Sequence, residues 1–233
     1  MTTDIRLIAS MATQALLADL VARWQAKSPQ RVVVVSVGGV DAARRVQAGE
    51  AFDAVVLAAS AVDQLLASGR LVAGTRTDIA DSGVAVAVRA GAPVPDIGSA
   101  EAVRAAVLAA PRVGRSTGPS GVQMAALFER WGITGTDTHV SASRIVTAPP
   151  GVPVGALVAR GEVDLGFQQL SELMHQPGIT VVGPLPPEIQ ITTTFAAAIA
   201  SHSTQPEAVR ALLRFFESAE VAALKRLHGM VAA

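Results

Sequence analysis

The sequence predicts an α/β protein of two lobes, each lobe a mixed sheet flanked by helices. Three observations predict it. Short β-branched runs alternate with longer segments of helical period, Ser- and Gly-rich junctions follow those runs, and a Pro-rich break near residue 185 precedes one more extended run and two helices. The chain then crosses between lobes near Ala80–Ala85 and again near Pro184–Thr194, which makes the first lobe discontinuous: 1–83 plus 190–233, against 84–189 for the second.

The elements run in order from the N-terminus. Asp4–Ala9 reads as a strand, and Ser10 as the N-cap of a helix over Met11–Lys27, whose Leu16, Leu17, Leu20, Val21 and Trp24 repeat at helical spacing. Arg31–Val37 is a second strand, followed by Gly38-Gly39 and a helix over Val40–Ala48. Ala54–Ala58 is a third, leading through Ala59-Ser60 into a helix over Ala61–Ser68. The second lobe opens with a strand at Gly83–Arg89 and a helix that Ser99 and Glu101 start and Ala110 ends. A short strand, Arg112–Gly114, runs into the turn Ser116-Thr117-Gly118-Pro119-Ser120-Gly121 and the helix Val122–Trp131. A strand near Ser143–Thr147, a Pro/Gly turn, a helix over Val152–Arg160 and a strand over Val163–Phe167 complete that lobe. Gln190–Ile199 is extended, and helices over Pro206–Ser218 and Ala219–His228 close the chain.

Composition excludes several classes of function. Among 233 residues, half are hydrophobic, so a sizeable core forms; 19 basic and 19 acidic residues cancel, and no basic run offers a track for nucleic acid or an anionic membrane. Six Phe, two Trp and no Tyr leave little for stacking on bases or sugars. Cysteine is absent, and His139, His175, His202 and His228 lack ligand spacing, so neither a metal nor another cofactor is expected. No window approaches the ~20 apolar residues that cross a bilayer, so no membrane insertion is expected. The first residues carry no export signal, which implies a cytoplasmic chain, although a processed periplasmic chain given a new Met reads the same way.

Chemistry gathers at the strand-to-helix junctions. In open α/β sheets ligands sit beyond the carboxyl ends of strands, where helix N-termini present unpaired N–H groups and a partial positive charge. Ser10 and Met11, Gly38 and Gly39, Ser60, and the residues Ser116, Thr117, Ser120, Gly121 and Val122 all stand at such junctions. Each end contributes only ~0.3–1 kcal/mol, so several must converge on one anion. Arg115 is placed to grip a carboxylate bidentately or to stand in solvent as an ordinary surface charge, and Gln168 and Gln169 follow a strand end. Glu172 and Asp41 are the nearest general bases, each early in a helix where a carboxylate also suits the dipole.

Ala9-Ser10, Ala59-Ser60, Arg160-Gly161-Glu162 with Leu165-Gly166, and the terminal helix pair together resemble the periplasmic type 2 substrate-binding proteins of the molybdate-binding family. That resemblance implies a ligand cleft between the lobes, hinge closure, an oxyanion held by serine hydroxyls and helix amides, and a permease of the ABC class as partner if the chain is exported. Ser10 and the Gly38-Gly39 region inherit those roles, Val152 joins the ligand-binding set, and a monomer is expected. Two departures redirect the ligand. Gly38-Gly39 stands where the family carries serines, and Gln169 where it carries a tyrosine. Ser120-Gly121-Val122, Val152-Pro153-Val154, Gly166-Phe167-Gln168-Gln169, Ser171-Glu172-Leu173 and Gly183-Pro184-Leu185-Pro186 are similar to the subgroup that includes aconitate isomerase. The resemblance therefore implies a di- or tricarboxylate ligand, with molybdate as one alternative and a proton-shifting isomerase, using Glu172 or Asp41, as another.

Overall fold

The computed structural model describes residues 4–133 and 144–233; His139 and Ser143 lie outside them. The chain divides into two compact units, Met1–Ser82 with Thr193–Ala233, and Gly83–Thr192. Both junctions fall inside or beside strands rather than in loops.

In the first unit, β1 (Ile5–Ser10) is parallel to β2 (Val32–Val37) on one side and to β3 (Ala54–Ala58) on the other. Strand β9 (Thr192–Ile199) runs antiparallel to β3, with Ala54 opposite Ile199, and the short β10 (Met230–Val231) lies antiparallel to the start of β4 (Thr77–Arg89). The period-two alternation of a strand sorts side chains between two cores. Ile5, Leu7 and Ala9 pack with Leu16, Leu20, Leu212 and Phe216, whereas Ile8, Val55 and Leu57 pack with Val46, Val62 and Leu65. Helices α1 (Gln14–Gln25), α8 (Pro206–Glu217) and α9 (Ala222–Leu227) thus cover one face, and α2 (Gly39–Gln47) and α3 (Ala59–Ala67) the other.

The second unit carries β5 (Val113–Arg115) between the parallel strands β6 (Ile145–Thr147) and β7 (Leu165–Gln169). The far half of β4 is antiparallel to β7 and to β8 (Ile179–Pro184). Val84, Val86, Leu165 and Phe167 face α4 (Ala100–Ala109) and α5 (Pro119–Arg130) through Val103, Val107, Leu127 and Phe128. The opposite face carries α6 (Val154–Ala159) and α7 (Leu170–Leu173). It is floored by Gly114 and Gly166, where an added Cβ would lie 2.9 Å from Val154 Cγ1 and 2.5 Å from Val158 Cγ2 respectively. Only glycine lets α6 sit that close to the sheet.

Several expected boundaries are corrected. Met11–Thr13 is a single 3-10 turn, so α1 begins three residues later than expected. Strand β4 begins at Thr77, not Gly83, because Asp78, Asp81 and Ser82 break the apolar run in the sequence without breaking the backbone ladder. Helix α6 starts after Pro153 rather than at Val152, since a residue preceding proline is held out of the helical region. Strands β8 and β10 lie outside the elements expected from the sequence. No described helix is long and apolar enough to cross a membrane.

Candidate functional site

In the first unit the carboxyl ends of β1 and β2 lie level, with Ser10 opposite Val37. Ser10 is nearly buried; its Oγ accepts from the Ala12 amide at 3.3 Å, and its carbonyl accepts from Thr13 Oγ1 at 2.9 Å. The cap expected at Ser10 therefore exists, on a 3-10 turn that holds Met11. Gly38 is the N-cap of α2, and a Cβ on Gly39 would stand 3.7 Å from Ser10 Oγ, so the Ser10 hydroxyl and the start of α2 are brought together. Ser60 follows the end of β3 by two residues as the second residue of α3, exposed to solvent. Asp41 sits in the first turn of α2 and is bonded to Arg44 one turn on, which makes it half of a surface ion pair.

In the second unit the parallel register sets Arg115 and Thr147, the last residues of β5 and β6, level with Phe167 two residues before the end of β7. The expected six-residue turn after Arg115 is shorter than the sequence implies. Pro119 takes the first helical position of α5, with Gly118 as N-cap, so Ser120 and Gly121 belong to the first helical turn and both are buried. Ser116 and Thr117 alone link strand to helix cap. Helix and strand meet here at very short range: a Cβ on Gly121 would lie 1.8 Å from the Ser116 carbonyl oxygen. The Ser116 and Ser120 hydroxyls are 3.5 Å apart. Val152 is half-buried and its amide donates to Pro149 O at 3.0 Å, whereas Val122 is 63% exposed.

Arg115 is the charged group of this cluster. One terminal nitrogen donates to the Gly121 carbonyl at 3.3 Å, which fixes the guanidinium beside the first turn of α5. Its Nε is buried and has no hydrogen-bond partner among the described residues. A buried donor without an acceptor costs about 1–3 kcal/mol, so this nitrogen is a place where an acceptor would be stabilising. The planar fork of the guanidinium matches a carboxylate in shape as well as charge.

Gln168 and Gln169 do not follow the strand; they are its last two residues, both buried. Alternation sends them to opposite faces. Gln169 falls on the face of Phe167 and Arg115, while Gln168 turns to α6 and accepts from the Gly155 amide at 3.1 Å. That bond fixes the amide so that its NH2 end is left for the Glu172 carboxyl, with which Gln168 is hydrogen-bonded. Burial pushes the Glu172 pKa up to about 7, against which the Gln168 bond works. Glu172 thus shares the carboxyl end of β7 with the Arg115 cluster but is turned to the other face. The Gly155 and Gln168 relay is absent from the sequence expectations, and no sequence signal short of the fold pairs residues 155 and 168. Among the described residues no group of three His, Cys, Asp or Glu side chains is placed to hold a metal ion.

Residues 5–231 match the family of bacterial extracellular solute-binding proteins. The chain belongs to this family. Over 179 residues, 76% of the chain, it is 41% identical to an aconitate isomerase from a Pseudomonas species, and the match spans 66% of that relative's length. Solved structures share the fold at low sequence identity. The periplasmic molybdate-binding protein of Azotobacter vinelandii superposes with a TM-score of 0.80 at 17% identity, covering 99% of this chain and 100% of that one. The sulfate-binding protein SubI from Mycobacterium tuberculosis H37Rv gives 0.77 at 18%, covering 98% and 86%. The α/β binding-protein fold expected from the sequence is therefore the fold of this chain.

Proposed function

We propose that this member of the solute-binding family takes a small tricarboxylate of the aconitate class, gripped by Arg115 with the hydroxyls and amides at the start of α5. Thr117, Val122, Val152 and Gln169 of the same unit are the further contacts of this reading, and Ser10, Met11, Gly38 and Gly39 form a separate cluster of donors within the first unit. The observation that carries this reading is the buried Nε of Arg115, held in place by Gly121 and lacking an acceptor among the described residues. A guanidinium in that state suits a carboxylate, which its fork can grip bidentately. The identity to an aconitate isomerase supports the same class of ligand.

Titration calorimetry and thermal shift with cis-aconitate, trans-aconitate, citrate, sulfate and molybdate test it. A tricarboxylate at ~100 times its Kd stabilises by ~2.7 kcal/mol, and Arg115→Gln weakens its binding by at least about thirtyfold. If molybdate or sulfate binds and no carboxylate does, the carboxylate reading fails.

A second reading, catalysis on the bound ligand, is favoured by Glu172. Interconversion of the aconitates removes a proton from the methylene carbon, shifts the double bond by one carbon, and returns a proton to the former vinylic carbon, with no net proton consumed. A carboxyl with a pKa of about 7 is present in both protonation states at neutral pH, which suits one group to take the proton and give it back. Incubation of trans-aconitate with the protein in deuterium oxide tests this. Absence of both cis-aconitate and carbon-bound deuterium leaves binding alone. Export and delivery to an ABC-type permease belong to the binding reading.

A further inference from the structure

The first unit contains a cavity of about 190 Å³ on the α8 side of its sheet. Its apolar floor is Ile199 and Leu213, both nearly fully buried. Arg210 and Arg214 rise from α8 beside it, four residues apart and hence on one helical face. The turn that leads into β4 closes the other side with Gly74, Thr75 and Thr77.

The polar groups divide into those already committed and those available. Thr75 is committed: its hydroxyl donates to Val72 O at 2.6 Å and accepts from the Ile199 amide at 3.2 Å, which locks the turn against β9. Arg76, next in sequence, is paired with Asp63 and Asp78. Thr77 Oγ1 has no hydrogen bond to a described residue, and Arg214 no ion pair with one. Among the described residues Arg210 is ion-paired with Glu207 alone, 3.7 Å from its Nε, and that carboxylate is 84% exposed. A pair so open to water contributes little. Two arginines and a threonine therefore line a small space, and no carboxylate is among the described residues that line it.

We propose that this cavity is a second anion site, independent of Arg115, and that it takes a compact tetrahedral dianion of the phosphate or sulfate type. Size limits the guest. At about 30 Å³ per water the space equals roughly six waters, enough for a phosphate group with a few attached atoms and far less than a nucleotide requires. Charge and size choose the class: two guanidiniums on one helical face match the two charges of a compact dianion, Thr77 stands on the facing turn, and arginine binds phosphate oxygens bidentately.

The test uses Arg115→Gln protein, which silences the tricarboxylate site, in backbone amide NMR titrations with inorganic phosphate, sulfate and succinate at constant ionic strength. Phosphate or sulfate is expected to give saturable shifts at Gly74, Thr77 and Ile199. Arg214→Gln, added to that background, is expected to weaken them at least tenfold, and Thr77→Val severalfold. If Arg214→Gln fails to fold, Arg210→Gln takes its place with the same expectation. The proposal is overturned if the shifts do not saturate, if the arginine variant retains affinity within twofold, or if succinate binds as tightly as phosphate.

Discussion

Replacing Glu172 with glutamine offers a direct measurement of what burial does to this carboxyl. An ordinary glutamate titrates near 4.5, and in the folded chain this one is raised to about 7. Above both values the folded state holds an ionised, desolvated carboxylate, whereas the unfolded chain holds a solvated one. At about 1.4 kcal/mol per pKa unit the difference is worth about 3 kcal/mol. The sign follows from proton counting. Below pH 4.5 the group is protonated in both states and costs nothing. Between pH 4.5 and 7 only the unfolded state ionises, so stability falls as pH rises through that window, then levels off above it. Urea unfolding of both proteins at half-unit steps from pH 4.5 to 8 isolates the effect, because the two proteins differ only at this residue. The Glu172→Gln stability relative to the parent is expected to rise by about 3 kcal/mol across the window. Parallel curves for the two proteins would refute a desolvated carboxyl here.

Three further outcomes rest on close contacts in the second unit. Gly121→Ala places a methyl 1.8 Å from the Ser116 carbonyl oxygen, so α5 must shift; calorimetry is expected to show a loss of about 1–3 kcal/mol in stability together with weakened tricarboxylate binding. Gly166→Ala drives a methyl to 2.5 Å from Val158 Cγ2, and its cost falls on α6, with a stability loss in the same range and Arg115-dependent binding retained. Gln168→Leu leaves the Gly155 amide without its acceptor and removes a hydrogen bond that lowers the Glu172 pKa. Stability is expected to fall by about 1–3 kcal/mol, and the pH at which Glu172 titrates to move upward, read from its side-chain carbon shift by NMR.

The strands and helices most legible in the sequence are those whose side chains serve two cores or one. The valine-rich β2, the unbroken apolar β3 and the amphipathic α1 and α8 announce their period directly. The elements that escape do so for physical reasons. Strand β8, Ile179–Pro184, is hidden by Gly183 and Pro184, which read as the start of a linker although β8 sits at the edge of the second unit's sheet, where proline is tolerated. The start of β4 is hidden by Asp81 and Ser82, although Asp81 accepts from Thr194 Oγ1 at 2.6 Å and so is satisfied within the first unit. Pro119 reads as part of a turn, but proline at the first helical position is a start signal, and it draws Ser120 and Gly121 into α5. The sequence can identify Arg115 as a candidate. It cannot reveal that the Arg115 Nε is buried, because that depends on α5 closing over the Ser116 carbonyl.

The end of β7 explains why two adjacent glutamines serve different tasks. Alternation gives Gln169 to the face of Arg115 and α5, and Gln168 to the face of α6 and Glu172. Anion grip and proton chemistry, if this chain has both, therefore depend on side chains that do not share a core. That separation has a consequence for how the two properties respond to mutation. On the proposed reading a change at Arg115 is expected to remove the grip and, with it, any turnover. On the same reading a change at Glu172 is expected to leave the grip in place and to remove only the exchange of a carbon-bound proton. A scaffold divided in this way can lose catalysis by one substitution on the α6 face and remain a binding protein.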